Sequence, residues 1–224
     1  MLVKSIRFNS FVLGIFALIT AALLSFTYEG TKERIAEAKR EVAKRALLEI
    51  IPLTRHDNDV LGDTVKIPKE YLSILGIKNG EINLARSKDE LIAIIVPSIA
   101  PDGYSGKIQM LVGINVDGTI AGVRVISHNE TPGLGDKIDL KKNDWILDFN
   151  GKSLENPKPK YWKVKKDKGS FDQLTGATIT PRAVVTQVLR TLQYFEKDKV
   201  RLLEEAKLQN STKNAPSIEA PING

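Results

Sequence analysis

Residues 171–185, Phe-Asp-Gln-Leu-Thr-Gly-Ala-Thr-Ile-Thr-Pro-Arg-Ala-Val-Val, set three hydroxyls, Thr175, Thr178 and Thr180, around a Gly-Ala pair. Thr180 and Pro181 read as the cap and first residue of a helix, because proline lacks an N–H that a helix start leaves unpaired anyway. The free N–H groups and the positive dipole end at such a start favour an anion. Gly176 and Ala177 leave the main chain open to a bulky phosphate. The same residues also make a loop that merely caps a helix. Physical grounds alone leave both readings open and single out neither phosphate nor one threonine. A second segment, His-Asn-Glu-Thr-Pro-Gly-Leu-Gly-Asp-Lys-Ile at 128–138, predicts a tight turn at Pro132-Gly133 and a second permissive backbone position at Gly135. There the main chain can pass close to a flat ring.

Composition removes several other chemistries. The chain has no cysteine, which excludes disulfides, iron–sulfur ligation, thiolate zinc sites and cysteine nucleophiles. Its two histidines, His56 and His128, argue against a multi-histidine metal site. A net charge of +6, from 33 basic against 27 acidic residues, is no signature of nucleic-acid binding.

Asp172-Gln173-Leu174-Thr175-Gly176-Ala177-Thr178 resembles the D-x-x-[S/T]-G-A-T acceptor motif of domains that carry FMN covalently, through a phosphoester to the last threonine. The segment 128–138 resembles the E-T-P-G-L-G loop of the same domains. The resemblance implies that Thr178 is the acceptor, that Thr175, Gly176, Ala177 and Thr180 complete its cofactor loop, and that Glu130, Thr131, Gly133 and Leu134 meet the flavin. Asp172 then serves recognition by a flavin transferase or the shape of the loop. An unperturbed alcohol is a poor nucleophile, so attachment calls for a dedicated transferase that grips an exposed, uncluttered loop.

The elements that must hold these loops are legible as patterns. From Phe8 to Tyr28 there is no charged residue, and about twenty residues at about 1.5 Å each match a bilayer core of about 30 Å. Lys4 and Arg7 precede this span and Glu29 follows it, which predicts a cytoplasmic N-terminus and an extracytoplasmic remainder. The rival reading, a cleaved signal peptide, suits neither the length of the run nor the absence of a clean small-x-small site. An amphipathic helix over 29–52 continues the span, with Ile35, Ala38, Val42, Ala46 and Ile50 on one face. Residues 54–80 read as loop-rich. Four β-branched runs from Glu81 to His128 predict an antiparallel meander, with a hairpin at Asp117-Gly118. A final helix is expected from Pro181 to about Lys197, with Val184, Val188, Leu192 and Phe195 on one face. His128 reads as a surface residue, Tyr161 and Trp162 as core, and Lys160, Lys163, Lys165 and Lys166 as a solvated face or one that meets acidic partners.

The expected fold class is α+β: a transmembrane helix and helical stalk followed by one FMN-binding domain with an antiparallel sheet and packed helices. The expected divisions are a cytoplasmic end at 1–7, a span at 8–28, the stalk at 29–52, an extracytoplasmic domain at 53–207 and a disordered tail at 208–224. With both motifs in place, the chain resembles over almost its full length the G subunits of Rnf (Rsx) electron-transport complexes. The C subunits of sodium-translocating NADH:quinone reductases share the motif and topology. The compact length and the Ala-Thr-Ile-Thr-Pro-Arg-Ala-Val-Val stretch bring the chain nearer the first. The resemblance implies a single-pass subunit of the bacterial inner membrane, with other membrane subunits and a flavin transferase as partners. Its FMN would relay electrons in a complex that exchanges them between ferredoxin and NAD while moving ions, or that in some bacteria keeps a redox sensor reduced. No catalytic residue or metal ligand is assigned. Two other classes compete: a non-redox envelope module that binds by its basic face, and a flavin-reductase enzyme. The glycines of Thr-Pro-Gly-Leu-Gly-Asp do not form a nicotinamide fingerprint.

Overall fold

The computed structural model describes residues 2–213. Its elements run α1 (Leu2–Ile50), β1 (Thr64–Lys66), β2 (Glu81–Ser87), β3 (Glu90–Gly103), β4 (Gly106–Asn115), β5 (Ile120–Ser127) and α2 (Ile179–Lys213). Short 3-10 turns lie at 69–71, 135–138, 144–149, 159–161 and 165–167. The α+β class expected from sequence is the one observed. The chain divides into two units, up to Ala43 and from Lys44 on.

The first unit is helical, and α1 is long and apolar enough to cross a membrane. Thr20, Thr27 and Thr31 return their hydroxyls to the carbonyls of Phe16, Leu23 and Thr27 at 2.8 Å. Each hydroxyl is thereby satisfied within its own helix, as an apolar surrounding requires. Ile35 and Val42 are exposed, so most of the stripe expected along 29–52 is not buried. Burial begins at Ala46, Leu47 and Ile50, just before the helix stops ahead of Pro52.

In the second unit the sheet is an antiparallel meander in the order β1-β2-β3-β4-β5. Strand side chains alternate faces, so each run feeds two cores. Ile82 and Leu84 of β2, Ile94 and Val96 of β3, and Ile108, Met110, Val112 and Ile114 of β4 face one side. There they meet Val184, Val185, Val188, Leu192 and Phe195 of α2. Ala85, Ala93 and Ile95 face the other side, where Leu47, Ile50, Ile51 and Val60 cover them. Gly113 and Gly122 are cross-strand partners. A Cβ on Gly113 would lie 2.2 Å from Cγ2 of Ile50, so two bare backbones form the notch that receives this side chain.

β3 runs through Pro97 to Gly103, farther than the expected break at Pro101-Asp102-Gly103-Tyr104-Ser105. Its pairing with β2 has ended by Ile95, so the missing N–H of Pro97 interrupts no ladder there. The turn into β4 is only Tyr104-Ser105. α2 also exceeds its expected limits: it starts at Ile179, ahead of Pro181, and continues to Lys213. Leu202 and Ala206 prolong the buried face, and Asp198 accepts from the Tyr194 hydroxyl at 2.8 Å. Burial and this hydrogen bond hold the Tyr194 hydroxyl far above its ordinary pKa. Residues 208–213, expected in the tail, are therefore helical, while the rest of that expected tail lies outside the described residues.

Candidate functional site

Two turns of the same design face each other. In Thr131-Pro132-Gly133-Leu134, the Leu134 N–H returns to the Thr131 carbonyl at 3.1 Å and Gly133 has φ +78°. In Leu174-Thr175-Gly176-Ala177, the Ala177 N–H returns to the Leu174 carbonyl at 3.0 Å and Gly176 has φ +81°. Glycine at the third position with positive φ is what a type II turn demands. The turns also touch, since a Cβ on Gly176 would come within 2.7 Å of the Leu134 Cδ2.

Between them opens a cavity of about 360 Å³ lined by Tyr104, Glu130, Thr131, Leu134, Gly135, Gly176, Ala177, Thr178, Ile179 and Thr180. All the sequence-predicted cofactor residues except Thr175, Gly133 and Asp172 line it. Thr178 is half-buried and immediately precedes α2. Thr180, expected as the helix cap, is instead inside the first turn and fully buried, with its hydroxyl donated to the Glu130 carboxylate. Thr175 and Gly176 are exposed at the rim. Thr131 is half-buried, and its carbonyl also accepts the N–H groups of Gly135 and Asp136 at 3.0 and 3.3 Å.

Glu130 ties the walls together. Its side chain is buried, accepting from the Tyr104 and Ser105 N–H groups at 3.3 and 3.0 Å as well as from Thr180. One carboxylate thus joins the β3–β4 hairpin, the 128–138 loop and the start of α2. His128 contributes from outside the cavity, with Nδ1 accepting the Glu130 N–H at 3.0 Å. A proton on the neutral ring must then sit on Nε2.

Asp172 lies beside the cavity. Its carboxylate is exposed and paired with Lys165 Nζ at 2.5 Å, while its carbonyl accepts from Trp145 Nε1 at 2.8 Å. The buried Trp145 belongs to an aromatic stack with Phe149, Phe171 and Trp162 that supports the loop from below. Trp162 is core as expected, but Tyr161 is 44% exposed because it points off the stack into the basic segment. Arg182, on the first turns of α2, grips Asp167 through two bonds of 2.6 Å. That hydrogen bonding holds the Asp167 carboxyl below its ordinary value.

Tyr104 and Ile179 are site residues that sequence reasoning passed over. Both line the cavity with exposed side chains. An aromatic at a hairpin tip was the available signal for Tyr104.

The residues present suit FMN. The volume is in the range of small-ligand sites. Leu134, Ala177, Ile179 and Tyr104 offer apolar surface for a ring. Thr178 and the free N–H groups at the start of α2 offer a place for a phosphate, each such charge at a helix start gaining about 1 kcal/mol. The close packing at Gly176 leaves the backbone, with no side chain, facing this space.

Comparison with known proteins agrees with this assignment. The FMN-binding domain family matches residues 103–193, and the RnfG N-terminal region matches residues 1–50. A Pseudomonas aeruginosa protein, named as the G subunit of the ion-translocating oxidoreductase complex, is 46% identical over 206 residues, 91% of this chain and 95% of its own. Proteins of the same name from Shewanella loihica and Vibrio cholerae are 45% and 40% identical. They align over 89% and 90% of this chain and 94% and 95% of their own lengths.

Proposed function

We propose that this chain, which belongs to the family of G subunits of ion-translocating oxidoreductase complexes, carries its FMN as a phosphoester on Thr178. It is a flavoprotein subunit of such a complex. The observation that carries the proposal is the position of Thr178: at the cavity wall, one residue before α2, between the open backbone of Gly176 and the first free N–H groups of the helix.

Bound FMN supplies the redox chemistry, taking up two electrons and releasing them singly. The chain's own residues hold and shape its surroundings. The N–H groups of Ile179 and Thr180 would receive a phosphate held on Thr178, and Pro181 would add none. Leu134, Ile179 and Tyr104 exclude water from the ring. Glu130 fixes the spacing of the three walls through its hydrogen bonds to Tyr104, Ser105 and Thr180. A flavin transferase makes the ester, and Asp172 with the exposed Thr175 and Gly176 is the part of the loop it can grasp. The chain sits in the inner membrane through α1, with the domain from 53 onward on the extracytoplasmic side and the other membrane subunits as its partners.

The test is denaturing gel electrophoresis with in-gel flavin fluorescence. Thr178→Ala is expected to abolish the fluorescent band, while Thr175→Ala and Thr180→Ala retain at least part of it. A flavin peptide whose mass places the modification on Thr175 or Thr180 would overturn the assignment.

A further inference from the structure

The segment 158–168 holds six lysines and one aspartate, a net of +5, against +6 for all 224 residues. Nearly the whole net charge of the molecule is therefore gathered in eleven residues. Lys158, Lys160, Lys163, Lys165, Lys166 and Lys168 are all exposed.

A charge run of this kind is ordinarily a mobile, solvated strand of lysines that repel one another. Here it is fixed. Trp162 and Val164 are buried between the lysines, and Trp162 anchors the segment in the aromatic core. Lys165 N–H bonds the Phe171 carbonyl at 2.7 Å, Phe171 N–H the Lys163 carbonyl at 3.1 Å, and Ser170 N–H the Tyr161 carbonyl at 2.9 Å. Gly169 packs so closely that a Cβ would lie 1.9 Å from the Lys163 carbonyl oxygen. The ordering cost of holding like charges together is thus met by the fold.

The segment is also fastened to the candidate flavin loop at two points. Lys165 pairs with Asp172, six residues before Thr178, and Asp167 pairs with Arg182, four residues after it. The basic segment is thereby held beside the stretch that carries Thr178. Fixed charge beside a redox centre orients a partner of opposite charge and sets its register more than it adds raw affinity.

We propose that residues 158–168 form the docking face for an acidic surface of the subunit that exchanges electrons with this one. The proposal rests on the reading that the loop at Thr178 carries the flavin.

The intact complex, in nanodiscs, is treated with a carbodiimide that joins a lysine amine to a carboxylate without a spacer. Cross-linked peptides are expected to link Lys158, Lys163 or Lys166 to Asp or Glu of another subunit. They should disappear in about 1 M salt, where the screening length is about 3 Å. The triple variant Lys158→Glu, Lys163→Glu, Lys166→Glu is expected to lose these links and to slow flavin reduction by the complex about tenfold. Denaturation-resistant flavin and reduction by dithionite should stay at wild-type levels. Cross-links confined to carboxylates of this chain, no cross-links, or an unchanged rate in the triple variant would each overturn the proposal. So would a lysine dependence that vanishes when phosphatidylglycerol nanodiscs are replaced by phosphatidylcholine, since the lysines would then serve lipid. Absence of denaturation-resistant flavin from the wild-type complex would instead sink the Thr178 reading, and the cross-links would decide docking without it.

Discussion

Gly133 and Gly135 stand two residues apart in one loop yet resist substitution for different reasons. Gly133 has φ +78° with open space where a Cβ would go, so alanine meets only backbone strain of about 1 kcal/mol. Gly135 has an ordinary φ, but its Cβ would lie 2.9 Å from the Thr180 Oγ1 and 3.0 Å from the Glu130 Cβ. Gly133→Ala is therefore expected to lower the urea midpoint while leaving the flavin absorption spectrum unmoved. Gly135→Ala should shift the spectrum by forcing the loop away from the start of α2; identical spectra for the two variants would refute the distinction. The turn at Pro132-Gly133 was legible because the dipeptide itself encodes it. The role of Glu130 was not, because a carboxylate beside a ligand loop reads as a contact until its three donors, two of them 25 and 26 residues earlier, are located. Thr178 and Thr180 are likewise both good caps, and only the packing of Thr180 against Glu130 decides which one lies outside the helix.

Among the elements, the end of α1 and the sheet meet at the glycine notch. Gly113→Ala would put a methyl group on Cγ2 of Ile50, and overpacking of this kind costs about 1–3 kcal/mol. The expected outcome is a lower urea midpoint for Gly113→Ala and a smaller further loss than additive when Ile50→Ala is combined with it, because the two changes share one space. Strict additivity would show that the notch does not couple them. β2 to β5 were readable because each run is long enough to show alternation or a buried apolar stretch. β1 has three residues, too few for a period, and it passed for loop. The 3-10 turns between β5 and α2 carry no periodic signal either, although they supply Trp145 and Phe149 of the stack beneath the site. The proline at Pro101 misled, because β3 has already outrun its neighbour β2 there and continues to Gly103. The helix expected to end at about Lys197 continues because Arg201 pairs with Asp198 and Glu205 along it while Leu202 and Ala206 face inward.

For the whole molecule, the orientation to be expected is set by the charges at the ends of the span. Lys4 and Arg7 precede it and Glu29 follows it, so a reporter that works only after export is expected to be active when fused beyond Gly224. A reporter that works only in the cytoplasm should be silent at the same position, and the reverse pattern would invert the topology. The location of charge has another consequence. Outside 158–168 basic and acidic residues nearly cancel, leaving +1 for the rest of the chain. The segment 158–168 is therefore a concentrated positive patch, tied to the Thr178 loop through the Lys165–Asp172 and Asp167–Arg182 pairs. A carboxylate-coated electrode is expected to hold the protein by that patch, bringing the Thr178 loop towards the conductor, whereas an amine-coated electrode is expected to repel the same face. Current passed directly to the protein thus becomes a reading of which way it is facing.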